Sequence, residues 1–161
     1  MTTTTQAARI AVQFEEQQNQ AVVAVSGATE AQWQRVTEAE GWTVAATAHH
    51  LAIVQRVFIG MVEKLAAGET YTPTIDLETI HKQNAEHARE YAGADRAESL
   101  EILESSGNDM AKLLHGFNDV DLERAAGTFG GNELSVAQVL EYVVIGHARE
   151  HLTSIQNTIA G

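Results

Sequence analysis

Two histidines near the end of the chain have the spacing of a metal site. His147 and His151 stand four residues apart in the segment HAREH, and side chains four apart on an α-helix project side by side, about 6 Å from one another. Both continue an apolar pattern at spacings of three and four, formed with Leu140, Val144 and Ile155. An imidazole on a core-facing stripe loses hydration and must recover it through hydrogen bonds or a metal. The spacing therefore predicts that these two side chains bind a metal ion inside the fold.

A third histidine, on another predicted helix, has the same inward placement. His50 is in register with apolar residues of its own segment: Val54, Val57 or Phe58, Met61 and Leu65. Its neighbour His49 is in register with a set toward the edge of the stripe: Ile53, Arg56 and Gly60. We therefore predict His50, rather than His49, as the third ligand. Three neutral imidazoles leave an open coordination position, as catalytic metals require.

The remaining histidines receive no role from the sequence. His81, His87 and His115 lie on polar stretches, and histidines in such surroundings are mostly solvated surface residues. An exposed HxxxH pair on a helix is also common without a metal, so surface histidines are the competing interpretation of the HAREH segment as well. The apolar stripe around His147 and His151 is what favours the metal site.

Two other metal motifs fit parts of the chain. HAREH also fits H-x-x-E-H, the inverted zinc-peptidase motif in which Glu150 would activate water, but that motif needs an acidic ligand downstream and LTSIQNTIAG contains none. A di-iron carboxylate bundle needs paired Glu-x-x-His motifs, and only Glu78 and His81 have that spacing. Both alternatives are weaker than the site of three histidines.

Long amphipathic segments must position these side chains. Apolar residues recur at helical spacing over four of them: residues 7–25, 43–68, 95–116 and 135–159. Thr43 is the expected N-cap of the second segment, and capping-box spacings open the third at Asp95 and the fourth at Ser135. We also expect a short turn of helix at residues 29–32, a polar helix at 76–92 and an irregular, glycine-containing connection at 118–134.

Four such stripes are buried only if the helices pack together. The chain has 161 residues and a single proline, which suits one core built from long helices. We therefore predict an all-α fold, a four-helix bundle with an additional short helix, as a single domain over residues 1–161.

Composition excludes several functions. The chain carries 22 acidic and 10 basic residues, a formal net charge of -12 that repels nucleic-acid phosphates. It has no cysteine, so it offers no disulfide, thiolate ligand or cysteine nucleophile, and any thiol in the chemistry must arrive as a co-substrate. The start MTTTTQAARI does not resemble a secretory signal, and we expect no later stretch to be apolar over the length needed to span a bilayer. We expect a cytoplasmic protein that does not bind nucleic acid or membranes.

The motifs, taken together, resemble those of the DinB/YfiT-like family. The resemblance rests on Gly41-Trp-Thr-Val44 before His50-Leu51, and on Leu134-Ser-Val136 before HAREH, and it extends over nearly the whole chain. It implies a four-helix bundle in which His50, His147 and His151 gather on a metal. Relatives often have glutamine three residues after the second histidine of the pair, whereas this chain has Ser154.

The resemblance also implies a class of reaction. Relatives include mycothiol-dependent maleylpyruvate isomerase and bacillithiol-using transferases. We therefore expect a metal-dependent enzyme, similar to a thiol S-transferase, that activates a low-molecular-weight thiol or water against a small-molecule substrate. The alternative is a non-enzymatic bundle with a structural or sensing metal. Zinc is the first candidate ion, with nickel and iron next. A homodimer is the candidate assembly.

Overall fold

The computed structural model describes residues 3–161, most of them helical. Its helices are α1 (Gln6–Gly27), α2 (Glu30–Trp33), α3 (Val44–Ala66), α4 (Leu77–Glu90), α5 (Arg96–His115) and α6 (Asp119–Glu123). A hairpin of β1 (Ala125–Phe129) and β2 (Asn132–Ser135) follows. The C-terminal helix then runs through three consecutive parts: α7 (Val136–Gln138), a π-helical stretch (Val139–Ile145) and α8 (Gly146–Ala160). The predicted all-α class is confirmed.

Side-chain caps begin three of the four long helices at the predicted residues. Thr43 accepts a hydrogen bond from the backbone N–H of Ala46, and Asp95 accepts one from that of Glu98. The capping box at Ser135 is complete, since its hydroxyl and the side chain of Gln138 each accept from the other's backbone N–H. These caps fix where α3 and the C-terminal helix begin, and so fix the rotation of the histidines they carry.

Four long helices form the bundle: α1, α3, α5 and the C-terminal helix. Helix α5 packs against α1 and α3, and α8 also packs against both. Helices α1 and α3 therefore occupy opposite corners, although they are consecutive long helices in the chain. Helix α4 lies on the outer side of α3. This arrangement confirms the predicted four-helix bundle and brings α3 beside α8, the two helices that carry the predicted ligands.

The core consists of two apolar clusters along the bundle axis. One gathers the start of α1, the end of α3, the end of α5 and the π-helical stretch, with Phe14, Leu65, Leu114 and Leu140 almost fully buried. The other joins the end of α1, the start of α3 and the inner face of α8 from Ala148 onward, where Val25, Leu51 and Ile155 are buried. His50 and His151 belong to the helix segments that form this second cluster.

The predicted irregular connection at residues 118–134 is wrong. This segment contains α6 and an antiparallel hairpin with a bulge between Ala125 and Gly127. Gly130 and Gly131 have positive φ angles in the turn, and Tyr71 donates a backbone hydrogen bond to Ala126 at 2.7 Å. The glycines thus allow a tight hairpin turn and do not produce an irregular loop.

Helix α3 is long and apolar enough to cross a membrane by length and composition, contrary to the expectation that no stretch would reach that length. Its most apolar window has a mean hydropathy of 1.2, and 61% of that window is buried inside the bundle. Such burial is typical of the core helix of a globular bundle.

Candidate metal centre

The structure brings together the three histidines singled out from the sequence. His50 projects from α3, and His147 and His151 project from the first two turns of α8. One ring nitrogen from each lies within 4.8 Å of the other two, and the Nε2 atoms of His50 and His147 are 3.1 Å apart. Among residues 3–161, this is the single cluster of at least three metal-ligating side chains with such spacing.

Burial keeps the rings of His50 and His147 in the neutral form that can bind a metal. It lowers the pKa of His50 to about 3, helped by His151, His147, His87 and His49 nearby. Burial, followed by the proximity of His151, likewise lowers the pKa of His147 to about 3. A neutral imidazole carries one nitrogen lone pair, and imidazole nitrogens are good ligands for zinc, nickel and iron. The donor set therefore fits a divalent metal ion.

Aromatic side chains surround the histidine cluster. The Trp42 ring meets His50 edge-on, with centroids 5.2 Å apart, and stacks on His151 at 6.0 Å with an interplanar angle of 20°. On the other side, the Phe58 ring meets His147 at 5.6 Å. These rings restrict the rotamers of the histidines and reduce the access of water to the cluster.

Trp42 belongs to the segment between α2 and α3, residues 34–43, termed here the Trp42 loop. The loop is closed by backbone hydrogen bonds, from Thr37 N–H to the Trp42 carbonyl at 2.7 Å and from Val44 N–H to the Arg35 carbonyl at 2.8 Å. Gly41 adopts a φ of 72°, which turns the chain back toward α3. The loop is thereby held over the end of the bundle that contains His151.

The Trp42 loop also supplies a carboxylate that the sequence analysis missed. Glu40 Oε1 lies 2.9 Å from His151 Nδ1, and Ser154 donates its hydroxyl hydrogen bond to Glu40 Oε2. The side chains of His151 and Glu40 are only 11% and 12% exposed. Ser154, the position at which relatives often have glutamine, thus holds a carboxylate that contacts a proposed ligand.

Glu40 is held in its charged form. Burial alone would raise its pKa, but the hydrogen bonds from Ser154 and His151, and the charge His151 can carry, outweigh that effect and lower the pKa below its usual value of 4.5. At neutral pH the site therefore contains a largely buried, ionised carboxylate beside three histidines.

A second histidine pair adjoins the cluster, contrary to the sequence-based interpretation of His49 and His87. His49 is 4% exposed, and its Nδ1 lies 2.8 Å from Nε2 of His87, which is half-buried on α4. The Tyr91 ring stacks on His49 at 3.9 Å. The His87 ring lies 5.6 Å from that of His50. Burial and the proximity of His87 and Arg56 lower the pKa of His49 to about 4, and burial also lowers that of His87.

The other residues set aside from the sequence lie outside the centre. His81 and His115 are exposed, and His115 pairs with Glu15 on α1. Glu150, the base of the inverted zinc-peptidase alternative, is exposed. Glu78, on which the di-iron alternative depends, is exposed on α4. The structure places none of these four side chains in the histidine cluster.

The sequence matches the family model of the DinB superfamily over residues 13–155. Among proteins of curated function, none matches it. One similar solved structure is YfiT from Bacillus subtilis, described as a probable metal-dependent hydrolase with an unusual four-helix bundle topology. It is 21% identical, with a TM-score of 0.75 over 95% of this chain and 85% of that one.

A second similar structure is a mutant of the mycothiol-dependent maleylpyruvate isomerase. It is 13% identical, with a TM-score of 0.72, and the alignment covers 96% of this chain but 63% of that longer one. At such identities the two structures establish a shared fold. The match to the family model over residues 13–155 bears on family membership.

Proposed function

This chain belongs to the DinB superfamily, and we propose that it is a metal-dependent enzyme in which His50, His147 and His151 hold a divalent ion. Its nucleophile would be a low-molecular-weight thiol or water, and its substrate a small electrophilic molecule. The observation that carries the proposal is the meeting of three ring nitrogens within 4.8 Å of one another. When bound, such an ion supplies Lewis acidity, which lowers the pKa of a water or thiol.

The protein's own contribution is to hold the metal ion and to enclose it. Three side chains provide three donors, and an ion with three protein donors retains a position for a further ligand. The rings of Trp42 and Phe58 lie against the histidine cluster. They favour a substrate that places an apolar or aromatic group beside it. Zinc is the first candidate for the ion, and nickel and iron suit the same imidazoles.

Similar structures support both choices of nucleophile. YfiT is described as a probable metal-dependent hydrolase, which would use water. The isomerase is described as mycothiol-dependent. The absence of cysteine in this chain means that a thiol would have to be a co-substrate. We propose the cytoplasm as the location, because thiols remain reduced there, and we propose no nucleic-acid or membrane partner, given a net charge of -12.

A non-enzymatic bundle with a structural or sensing metal is the second candidate. The observation that favours it is the close packing of aromatic rings against the cluster, with Trp42 stacked on His151 and Phe58 against His147. A structural ion is normally closed off from solvent by protein groups. Access of an added ligand to the metal therefore separates the two functions.

A thiol titration of the cobalt-substituted protein tests the proposal. Addition of mycothiol, bacillithiol or glutathione should produce a sulfur-to-cobalt charge-transfer band with at least one of them, because the open position admits a sulfur ligand. The metal-free protein and the His151→Ala variant should show no band. A spectrum indifferent to all three thiols would contradict the thiol branch and leave water as the nucleophile or a site without catalysis.

A further inference from the structure

We propose that Glu40 is a positioning residue of the metal centre, and that Ser154 holds it in place. The inference rests on the proposed metal-binding function and adds a residue to it that lies 111 positions from His151 in the chain. Within residues 3–161, Glu40 is the one carboxylate that forms a hydrogen bond with any of the three histidines.

The contact determines which nitrogen of His151 carries the proton. An ionised carboxylate can only accept hydrogen bonds, so the 2.9 Å contact between Glu40 Oε1 and His151 Nδ1 requires a proton on Nδ1. In a neutral imidazole, Nε2 then carries the lone pair. Glu40 thereby selects the tautomer of His151 in which Nε2 is the atom available to a metal.

The carboxylate is itself oriented before any ligand arrives. Ser154 lies three residues after His151 on α8 and donates to Glu40 Oε2, so both carboxylate oxygens are fixed by one helix. The backbone around Glu40 is held as well, because Gly41 N–H donates to the Thr37 carbonyl at 3.0 Å. Trp42, two residues further on, stacks on the same imidazole. The Trp42 loop thus contacts the edge of the His151 ring through Glu40 and its face through Trp42.

This arrangement has a known physical consequence for metal affinity. A carboxylate that accepts from the outer nitrogen of a ligating histidine fixes the ring and makes its other nitrogen more basic. Loss of such a partner typically weakens metal binding by about 10- to 100-fold. Glu40 therefore should act on affinity through His151 without contacting the ion.

The test compares metal affinity in matched variants. Glu40→Gln keeps the shape of the side chain and removes its charge, so the dissociation constant for Zn²⁺ or Co²⁺ should rise about 10- to 100-fold. Ser154→Ala should raise it less, because the carboxylate stays and loses one hydrogen bond. Glu38→Gln is the control: Glu38 is an exposed residue of the same loop, so this variant removes the same charge. Its affinity should equal that of the wild type.

Nitrogen NMR of the histidine rings gives a second readout that needs no variant. In the metal-free wild-type protein, His151 should be the Nδ1–H tautomer. A neutral His151 with its proton on Nε2 instead of Nδ1, equal affinity of Glu40→Gln and wild type, or an equal loss in Glu38→Gln would each overturn the role of Glu40. If the wild type itself binds no metal, the proposed function fails, and the tautomer still decides whether Glu40 orients His151.

Discussion

The His50 ring lies at the centre of the aromatic groups around the site. Its centroid is 4.8 Å from that of His151, 5.2 Å from that of His147 and 5.6 Å from that of His87. Every charged ring nearby would disfavour a proton on His50, and this, added to burial, explains its pKa of about 3. A divalent ion would be bound jointly by neutral rings, so the cluster would not need to hold several charged imidazoles side by side.

At the scale of single residues, His50 and His49 should behave in opposite ways. His50→Ala should abolish metal binding, because it removes one of the three donors. His49→Ala should retain the metal but lower the free energy of unfolding by about 1–3 kcal/mol, since it removes a buried ring that stacks on Tyr91 and contacts His87. Metal titration and chemical unfolding of both variants measure the two effects.

The opposite pattern, with metal lost in His49→Ala and kept in His50→Ala, would show that the ligand on α3 is the wrong residue of the pair. It would also place the site nearer to His87 on α4.

The histidines whose neighbours along the helix are apolar could be identified from the sequence. His50, His147 and His151 continue core stripes, so periodicity placed each of them on a core face, and the family resemblance implied that they gather on one metal. His87 was missed because α4 is polar, with Ala88 as its one buried residue. Glu40 was missed because its contact with His151 joins distant segments, and no spacing in the sequence encodes that contact. The Gly41-Trp42 step beside it was the one available signal.

At the scale of elements, the π-helical stretch sets the start of α8. Its buried residues come in pairs five apart, Val139 with Val144 and Leu140 with Ile145, which is the spacing of a wider helical turn. Gln17 of α1 donates its side-chain amide to the Ile145 carbonyl at 3.1 Å, just before His147. The α-helical pattern read from the sequence accounted for the stripe but not for this pairing, so the wider turn was not predicted.

The Trp42 loop gives a prediction at the same scale. Gly41 adopts a φ of 72°, a conformation that costs a residue with a Cβ about 1 kcal/mol or more. Gly41→Ala should therefore lower the melting temperature by about 2–4 °C and weaken metal binding, because the loop carries Glu40 and Trp42. Thermal unfolding and metal titration measure both changes.

Gly60→Ala is the matched control for that substitution. Gly60 lies inside α3, and a Cβ there meets nothing within 4 Å. The same change should stabilise the helix by up to about 1 kcal/mol and leave metal affinity unchanged. Equal effects of the two substitutions would contradict the role given to the loop.

At the scale of the whole molecule, the sequence predicted the bundle better than its connections. Four apolar stripes determine that four helices pack, and the caps at Thr43, Asp95 and Ser135 determine where three of them begin. The placement of α1 and α3 at opposite corners of the bundle depends on how whole helices pack. No local sequence pattern predicts it. The hairpin after α6 was hidden because its glycines suggested a loop.

The buried histidines should make the metal-free fold sensitive to mild acid. The pKa values of His50 and His147 are about 3 and that of His49 is about 4 in the folded chain, against 6.5 without burial. Below pH 6.5 the unfolded chain therefore binds protons that the folded chain does not, and the free energy of unfolding falls as the pH falls. Each such histidine changes the free energy of unfolding by at most about 1.4 kcal/mol per pH unit.

Chemical unfolding of the metal-free protein between pH 7.5 and about 5 measures this slope, in a range above the ordinary titration of carboxyl groups. His50→Gln should reduce the slope, whereas His81→Ala should not, because His81 is exposed on α4 and lies outside the buried cluster. A free energy of unfolding that stays constant over this range would contradict the account of buried, neutral rings.

The metal content of the untagged protein and its histidine variants tests the central claim most directly. Elemental analysis should find one divalent ion per wild-type chain, and the same in His81→Ala and His115→Ala, which change exposed residues. His147→Ala and His151→Ala should retain almost none, because each removes one of the three donors that lie within 4.8 Å of one another. Equal metal content in all five proteins would contradict the assignment of this cluster as the metal centre.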